Sequence, residues 1–152
     1  MASLTPAALV SRLEEDMRSG SIPPLGLQMS MDNALELLAA GMQPYTDPNV
    51  EVLMVGAPGV VASFQGIDGL FAAWRDWGRS FQALDVVFDE VAQVPAGALL
   101  LVRQLAVSLR GAMPIEQPSA VLLRLHDGRI GTVEFHLDRA LAQQAATAGD
   151  RG

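Results

Sequence analysis

The chain has 152 residues, half of them hydrophobic, no cysteine, and a net charge of −7. The lack of cysteine excludes disulfides, a thiolate nucleophile and cysteine-ligated metal, which fits a cytoplasmic protein, and the negative charge disfavours a general affinity for nucleic acid. No run of about 18 apolar residues is free of charge, so no membrane span is predicted, and MASLTPAALVSRLEEDM lacks the basic start and apolar core of a signal peptide.

The length predicts one domain over residues 1–152, with a helical part over 1–44. Thr5-Pro6 is a helix start: a capping side chain, then proline at the first helical position. Leu9, Leu13 and Met17 follow at helical spacing, and Ser19-Gly20 ends the run. The stretch 21–30, SIPPLGLQMS, reads as a proline-rich insertion whose apolar residues lie against the body. A second helix is predicted from Ser30 to Gly41, with Met31, Leu35 and Leu38 inward.

Tyr45 to Pro48 is predicted as a turn, and Val50–Val55 and Val60–Gln65 as two short strands. A third helix carries an apolar stripe of Ile67, Leu70, Phe71, Trp74, Trp77 and Phe81. Three longer strands follow, about Ala83–Val94, Ala98–Arg110 and Ser119–Leu125, with an irregular loop expected at Gly111–Pro118. Asp127-Gly128 opens a last strand in which Val133 and Phe135 alternate with Glu134 and His136. Asp138 stands at the N-cap position of a closing helix. Helices run together and then strands run together, which is the α+β pattern. An antiparallel sheet bent around the long helices would leave a cavity between the layers.

From about Tyr45 to Ala146 the chain resembles the NTF2-like superfamily, and within it the SnoaL-like group of polyketide cyclases and ketosteroid isomerase-like proteins. The residues that carry the resemblance are TDPNVEV, GIDGLFAAWRDW and HDGRIGTVEFHLDRA. It implies a cone: a strongly bent sheet wrapped around three helices, with a short helix at the end. It also implies a cavity for a hydrophobic small molecule, no cofactor, and a homodimer through the outer face of the sheet. In ketosteroid isomerases the proton-shuttling base sits near the end of the first strand, which falls on Leu53. Their oxyanion acid falls on Val121, and the catalytic acid of SnoaL-type cyclases falls on Phe135. All three are apolar here.

The polar candidates come from the residues themselves. Arg103 alternates with aliphatic residues along its strand, so it reads either as an anion anchor in the cavity or as one half of a structural ion pair. Glu90 shares the parity of Leu84, Val86, Phe88 and Ala92, which makes it a possible internal acid–base group or a partner for Arg103. Tyr45 could donate a hydrogen bond to a carbonyl in the pocket, or pack with its hydroxyl wet. Asp47, before Pro48, reads as a turn former. Trp74 is the better ligand-stacking candidate of the two tryptophans, with core packing as the alternative. With Trp74, the residues Leu53, Phe88, Val121 and Phe135 are the expected apolar lining. His136 and Glu134 lie opposite Phe135 by parity and are expected at a surface or interface, and His126 is expected to be exposed. The carboxylates and two histidines have no metal-ligand spacing, and no phosphate loop, dinucleotide fingerprint or nucleophile elbow is present.

Two functions follow as expectations. One is a SnoaL-like enzyme that cyclises or isomerises a hydrophobic, cyclic or polyketide-like substrate, using Arg103, Glu90 and Tyr45. The other is a non-catalytic ligand-binding or protein-interaction module. A filled core with Arg103 pointing outward would sink the first.

Overall fold

The computed structural model describes residues 3–56, 59–79, 81–108 and 114–147. Helix α1 spans Pro6–Ser19, capped by Thr5 Oγ1, which accepts from Ala8 N at 3.2 Å. It buries Leu9 and Leu13 completely, each a contribution of roughly 1.5–3 kcal/mol from apolar transfer. The insertion does lie against the body. Ile22 is fully buried and Gly26 N donates to Phe88 O at 2.8 Å. Its end, Gln28–Ser30, forms a short strand β1 that the helix-and-linker reading did not anticipate. Ser30 then caps α2, Met31–Met42, whose inward residues include Met31, Leu35 and Leu38 as expected.

After a 3-10 turn at Gln43–Tyr45, β2 runs Thr46–Gly56, four residues earlier than predicted. The early start includes Pro48, which falls where the pairing with the neighbouring strand shifts register, between Thr46 and Glu51. The turn expected at Tyr45–Pro48 is strand from Thr46 on, and within it Asp47 Oδ1 accepts from Asn49 N at 2.8 Å. Strand β3, Gly59–Gln65, leads into α3, Ile67–Gly78. The remaining elements are β4 (Phe81–Val94), β5 (Gly97–Ser108), β6 (Pro114–His126), β7 (Arg129–His136) and α4 (Arg139–Thr147). Phe81 therefore opens a strand and does not continue the stripe of α3. The α4 cap is Asp138, whose Oδ1 accepts from Ala140 N and Leu141 N at 2.8 and 3.1 Å.

The sheet order is β1-β4-β5-β6-β7-β2-β3. Every pairing is antiparallel except β2 with β7, which is parallel. Of the loop predicted irregular at Gly111–Pro118, residues 111–113 lie outside the described residues and 114–118 are strand. There β6 pairs only with β5, because its pairing with β7 begins at Ala120. Proline is tolerated where one side of the strand needs no donor. The β6–β7 hairpin turns on Asp127 (φ 54°) and Gly128 (φ 77°), the double left-handed conformation of a two-residue hairpin. At the β4–β5 hairpin a Cβ on Gly97 would lie 2.2 Å from Leu123 O, so only glycine lets these backbones approach.

The sheet buries its inner face and part of its outer face. Its inner face packs on α1, α2 and α3 in the main core. Its outer face is covered in part by α4, where Ala142 and Ala146 meet Leu99, Ala120 and Leu122.

Candidate functional site

Between the inner face of the sheet and the helices lies a small chamber. Its roof is Met31, Leu35 and Leu38 of α2 and Trp74 of α3. Its floor comes from Met54 of β2, Val86 and Phe88 of β4, Val102 and Gln104 of β5, Ser119 to Val121 of β6, and Phe135 to Leu137 at the end of β7. About 20 Å³ is open to the centre of a water-sized sphere, room for about one water molecule. Among the described residues no arginine, aspartate or glutamate lines it. A separate cleft of about 420 Å³ opens beside it, lined among others by Asp32, Arg75, Arg79 and Asp85. Met31 and Trp74 belong to both walls.

The polar groups of the chamber have defined partners, with one exception. Trp77 Nε1 donates to Gln104 Oε1 at 2.9 Å. An indole N–H only donates, so this bond fixes which end of the amide faces Trp77. Gln104 Nε2 then donates to Ser119 Oγ at 2.8 Å, and Ser119 Oγ donates to Gln117 O at 3.3 Å. The exception is Trp74. Its ring meets Phe135 edge-on at 5.1 Å, the residue is 6% exposed, and its Nε1 has no hydrogen-bond partner. Among the described residues it is the one buried side-chain nitrogen or oxygen left so.

Trp74, Phe88, Val121 and Phe135 line the chamber as expected. Leu53 does not. It pairs with Ser63 and Glu134 on the other face of the sheet, and Met54 takes the inward position. The three polar candidates are also elsewhere. Arg103 lies on the outer face, where it is held by Asp89 at 3.0 Å and Glu116 at 3.1 Å. The parity argument failed for it because both faces of β5 are aliphatic: Leu100 and Val102 face the core, while Leu99 faces α4. Glu90 is exposed on the outer face. An extra residue at Asp89 bulges β4, so that Phe88 pairs with Val102 and Glu90 with Leu101, reversing the face expected from simple alternation. Tyr45 is half-buried, donating its hydroxyl to Asp16 Oδ2 at 2.8 Å. Burial, and after it the Asp16 carboxylate, push the phenol well above its usual pKa, which leaves it a fixed neutral donor.

The residues missed are Gln104, Ser119 and the methionines Met31 and Met54. Gln104 did carry a signal: a large amide in the row Leu100, Val102, Gln104, Ala106.

Two ionic clusters stand outside the chamber proper. Asp89 joins Arg103 and Arg139, the latter at 2.8 Å. Burial alone would raise its pKa, but these two guanidiniums hold it below the ordinary carboxylate value. Arg139 also ties α4 to the sheet through Ser119 O and Val102 O. In the second cluster Glu134 accepts from Arg124 Nε and from His136 Nε2, the latter at 2.8 Å. Parity did place Glu134 and His136 opposite Phe135, but the expected surface position is corrected: they are 8% and 4% exposed. His136 also borders the chamber at the end of β7. His126 is exposed as expected, with Nε2 3.0 Å from Thr132 Oγ1. Among the described residues no group of three histidines or carboxylates could hold a metal, and no helix is long and apolar enough to cross a membrane.

No family model and no curated protein matches the chain. Solved structures do match in shape. A protein from Burkholderia thailandensis described as NTF2-like superposes with a TM-score of 0.57 at 17% identity, over 95% of this chain and 98% of that one. A protein described as a SnoaL-like polyketide cyclase, from a Jannaschia species, gives 0.52 at 16% identity, over 94% and 91%. The protein TerC, co-crystallized with polyporic acid, gives 0.55 at 14% identity, over 92% and 97%. At such identities the likeness is one of fold, and the fold of this chain is the NTF2-like cone.

Proposed function

We propose that this chain binds a small, neutral, largely apolar molecule in the chamber between sheet and helices. The observation that carries this reading is the shared wall: among the described residues, Met31 and Trp74 alone line both the chamber and the solvent cleft beside it. A methionine is unbranched and flexible, so its displacement would join the two spaces and admit a ligand larger than one water. The uncharged lining suits a neutral occupant, since an ion there would lose its hydration with no counter-charge. Proteins of this fold bind small molecules in at least one case, TerC with polyporic acid. The expected acid–base set of Arg103, Glu90 and Tyr45 is absent from the chamber, so binding without turnover is the first reading.

The test is a titration of protein carrying 13C-labelled methionine methyls with indane, an apolar bicyclic probe. Saturable shifts at both Met31 and Met54 are expected. Absence of both up to the solubility limit of the probe would overturn the reading. The second reading is turnover, by cyclisation or isomerisation. The observation that favours it is the His136–Glu134 pair at the chamber's edge, since a histidine oriented by a carboxylate can move a proton.

A further inference from the structure

We infer that the molecule bound in the chamber carries a carbonyl oxygen, and that this oxygen accepts the Trp74 indole N–H. The inference rests on the binding function proposed above and adds the chemical class of the ligand.

A buried N–H without an acceptor is rare, because water would otherwise have satisfied it. Trp74 Nε1 is such a group, and its side chain roofs the chamber. The Gln104 and Ser119 side chains there are already tied, and His136 Nε2 is bonded to Glu134. Gln104 Oε1 accepts from Trp77, Gln104 Nε2 donates to Ser119, and the Ser119 hydroxyl proton goes to Gln117 O. What this set leaves over without any partner is a donor, Trp74 Nε1. An occupant that takes the place of water at Trp74 Nε1 therefore has to bring an acceptor. An alcohol would also bring a proton, for which the set offers only the second lone pair of an oxygen that already accepts. A carboxylate would be stranded among fifteen lining residues that include no arginine. A ketone, ester or lactone oxygen brings acceptance alone and no charge. The chain Trp77–Gln104–Ser119–Gln117 thus acts as a positioning element, holding the polar side of the chamber in one orientation.

The experiment compares 1-indanone with indane, which has nearly the same shape but no oxygen. In 15N-labelled protein each of the two tryptophans gives one indole N–H signal, assigned with Trp77→Phe. On adding 1-indanone the Trp74 signal should move downfield as its hydrogen bond forms, while indane should leave it without that downfield shift. Trp77, already bonded to Gln104, is the internal control. In Trp74→Phe, the ratio of indanone affinity to indane affinity should fall about tenfold, the effect of one hydrogen bond. If that variant does not fold, the indole signals of the wild-type protein decide alone. Binding of both probes with no downfield move at Trp74, or with an unchanged ratio in the variant, would overturn the inference and leave the binding function standing. Binding of neither probe would overturn both.

Discussion

Replacing Glu134 with leucine tests whether the buried cluster on the outer face holds β6 to β7. The carboxylate accepts from Arg124 on β6 and from His136 on its own strand, and the residue is 8% exposed. Its loss leaves the Arg124 guanidinium with a long bond to Ala145 O at 3.4 Å and whatever else it touches. Breaking one side of a buried pair costs roughly 3–5 kcal/mol when the other charge is stranded. Arg124 retains contacts, so the lower end applies, about 3 kcal/mol. In a domain of this length that is a fall of roughly 10 °C in melting temperature. The assay is urea unfolding followed by circular dichroism at pH 7. Burial alone would raise the Glu134 pKa, but the bonds from His136 and Arg124 outweigh it and hold the value below that of an ordinary glutamate. Its contribution is therefore complete above the unfolded carboxylate's pKa of about 4.3 and fades as pH falls from there towards the lower folded value. The penalty of Glu134→Leu should shrink below about pH 4 for the same reason. The double variant Arg124→Leu with Glu134→Leu should recover most of the loss, because an apolar pair can replace a buried ionic one. A single variant as stable as the parent at pH 7, or a penalty that persists undiminished in acid, would refute the reasoning.

Arg103→Leu should leave indane binding unchanged, since the side chain lies across the sheet from the chamber and is paired to Asp89 and Glu116 near solvent. Loss of binding in that variant would refute its outward placement. Gly97→Ala should destabilise by about 1–3 kcal/mol in the same urea assay, because the added methyl would lie 2.2 Å from a backbone oxygen that cannot move without disturbing β6. A change within about 0.5 kcal/mol, the usual scatter of surface substitutions, would count against that close approach.

Much of the fold was legible because its signals are local. Thr5-Pro6, Ser30, Asp127-Gly128 and Asp138 each mark a boundary through a capping side chain or a backbone preference of their own, and each does so here. The site was less legible because its signals are relational. Alternation gives two faces but does not say which one points inward, and on β5 both are aliphatic because α4 covers one and the main core the other. Glu90 was misplaced by a single bulged residue, an event that no propensity at Asp89 announces. Strand β1 escaped because three residues carry no period, and the start of β6 because proline argues against strand until one knows that its other side has no neighbour. Apolar positions fared better. Phe88, Val121 and Phe135 line the chamber whatever chemistry it performs.

The parallel pairing of β2 with β7 has a consequence for how the molecule is made. Its partners, such as Glu51 with Thr132, are about eighty residues apart in the chain. On the ribosome, β2 and β3 emerge early and can form their hairpin at once, but one side of β2 then waits for the last strand to appear. Such distant contacts are slow to form, and an unpaired edge is open to wrong partners in the meantime. Met54 comes from the early strand and Phe135 from the late one. The chamber therefore has no complete floor until β7 has been synthesised and docked, so a ligand that depends on it can meet only the finished sheet and cannot help to nucleate it.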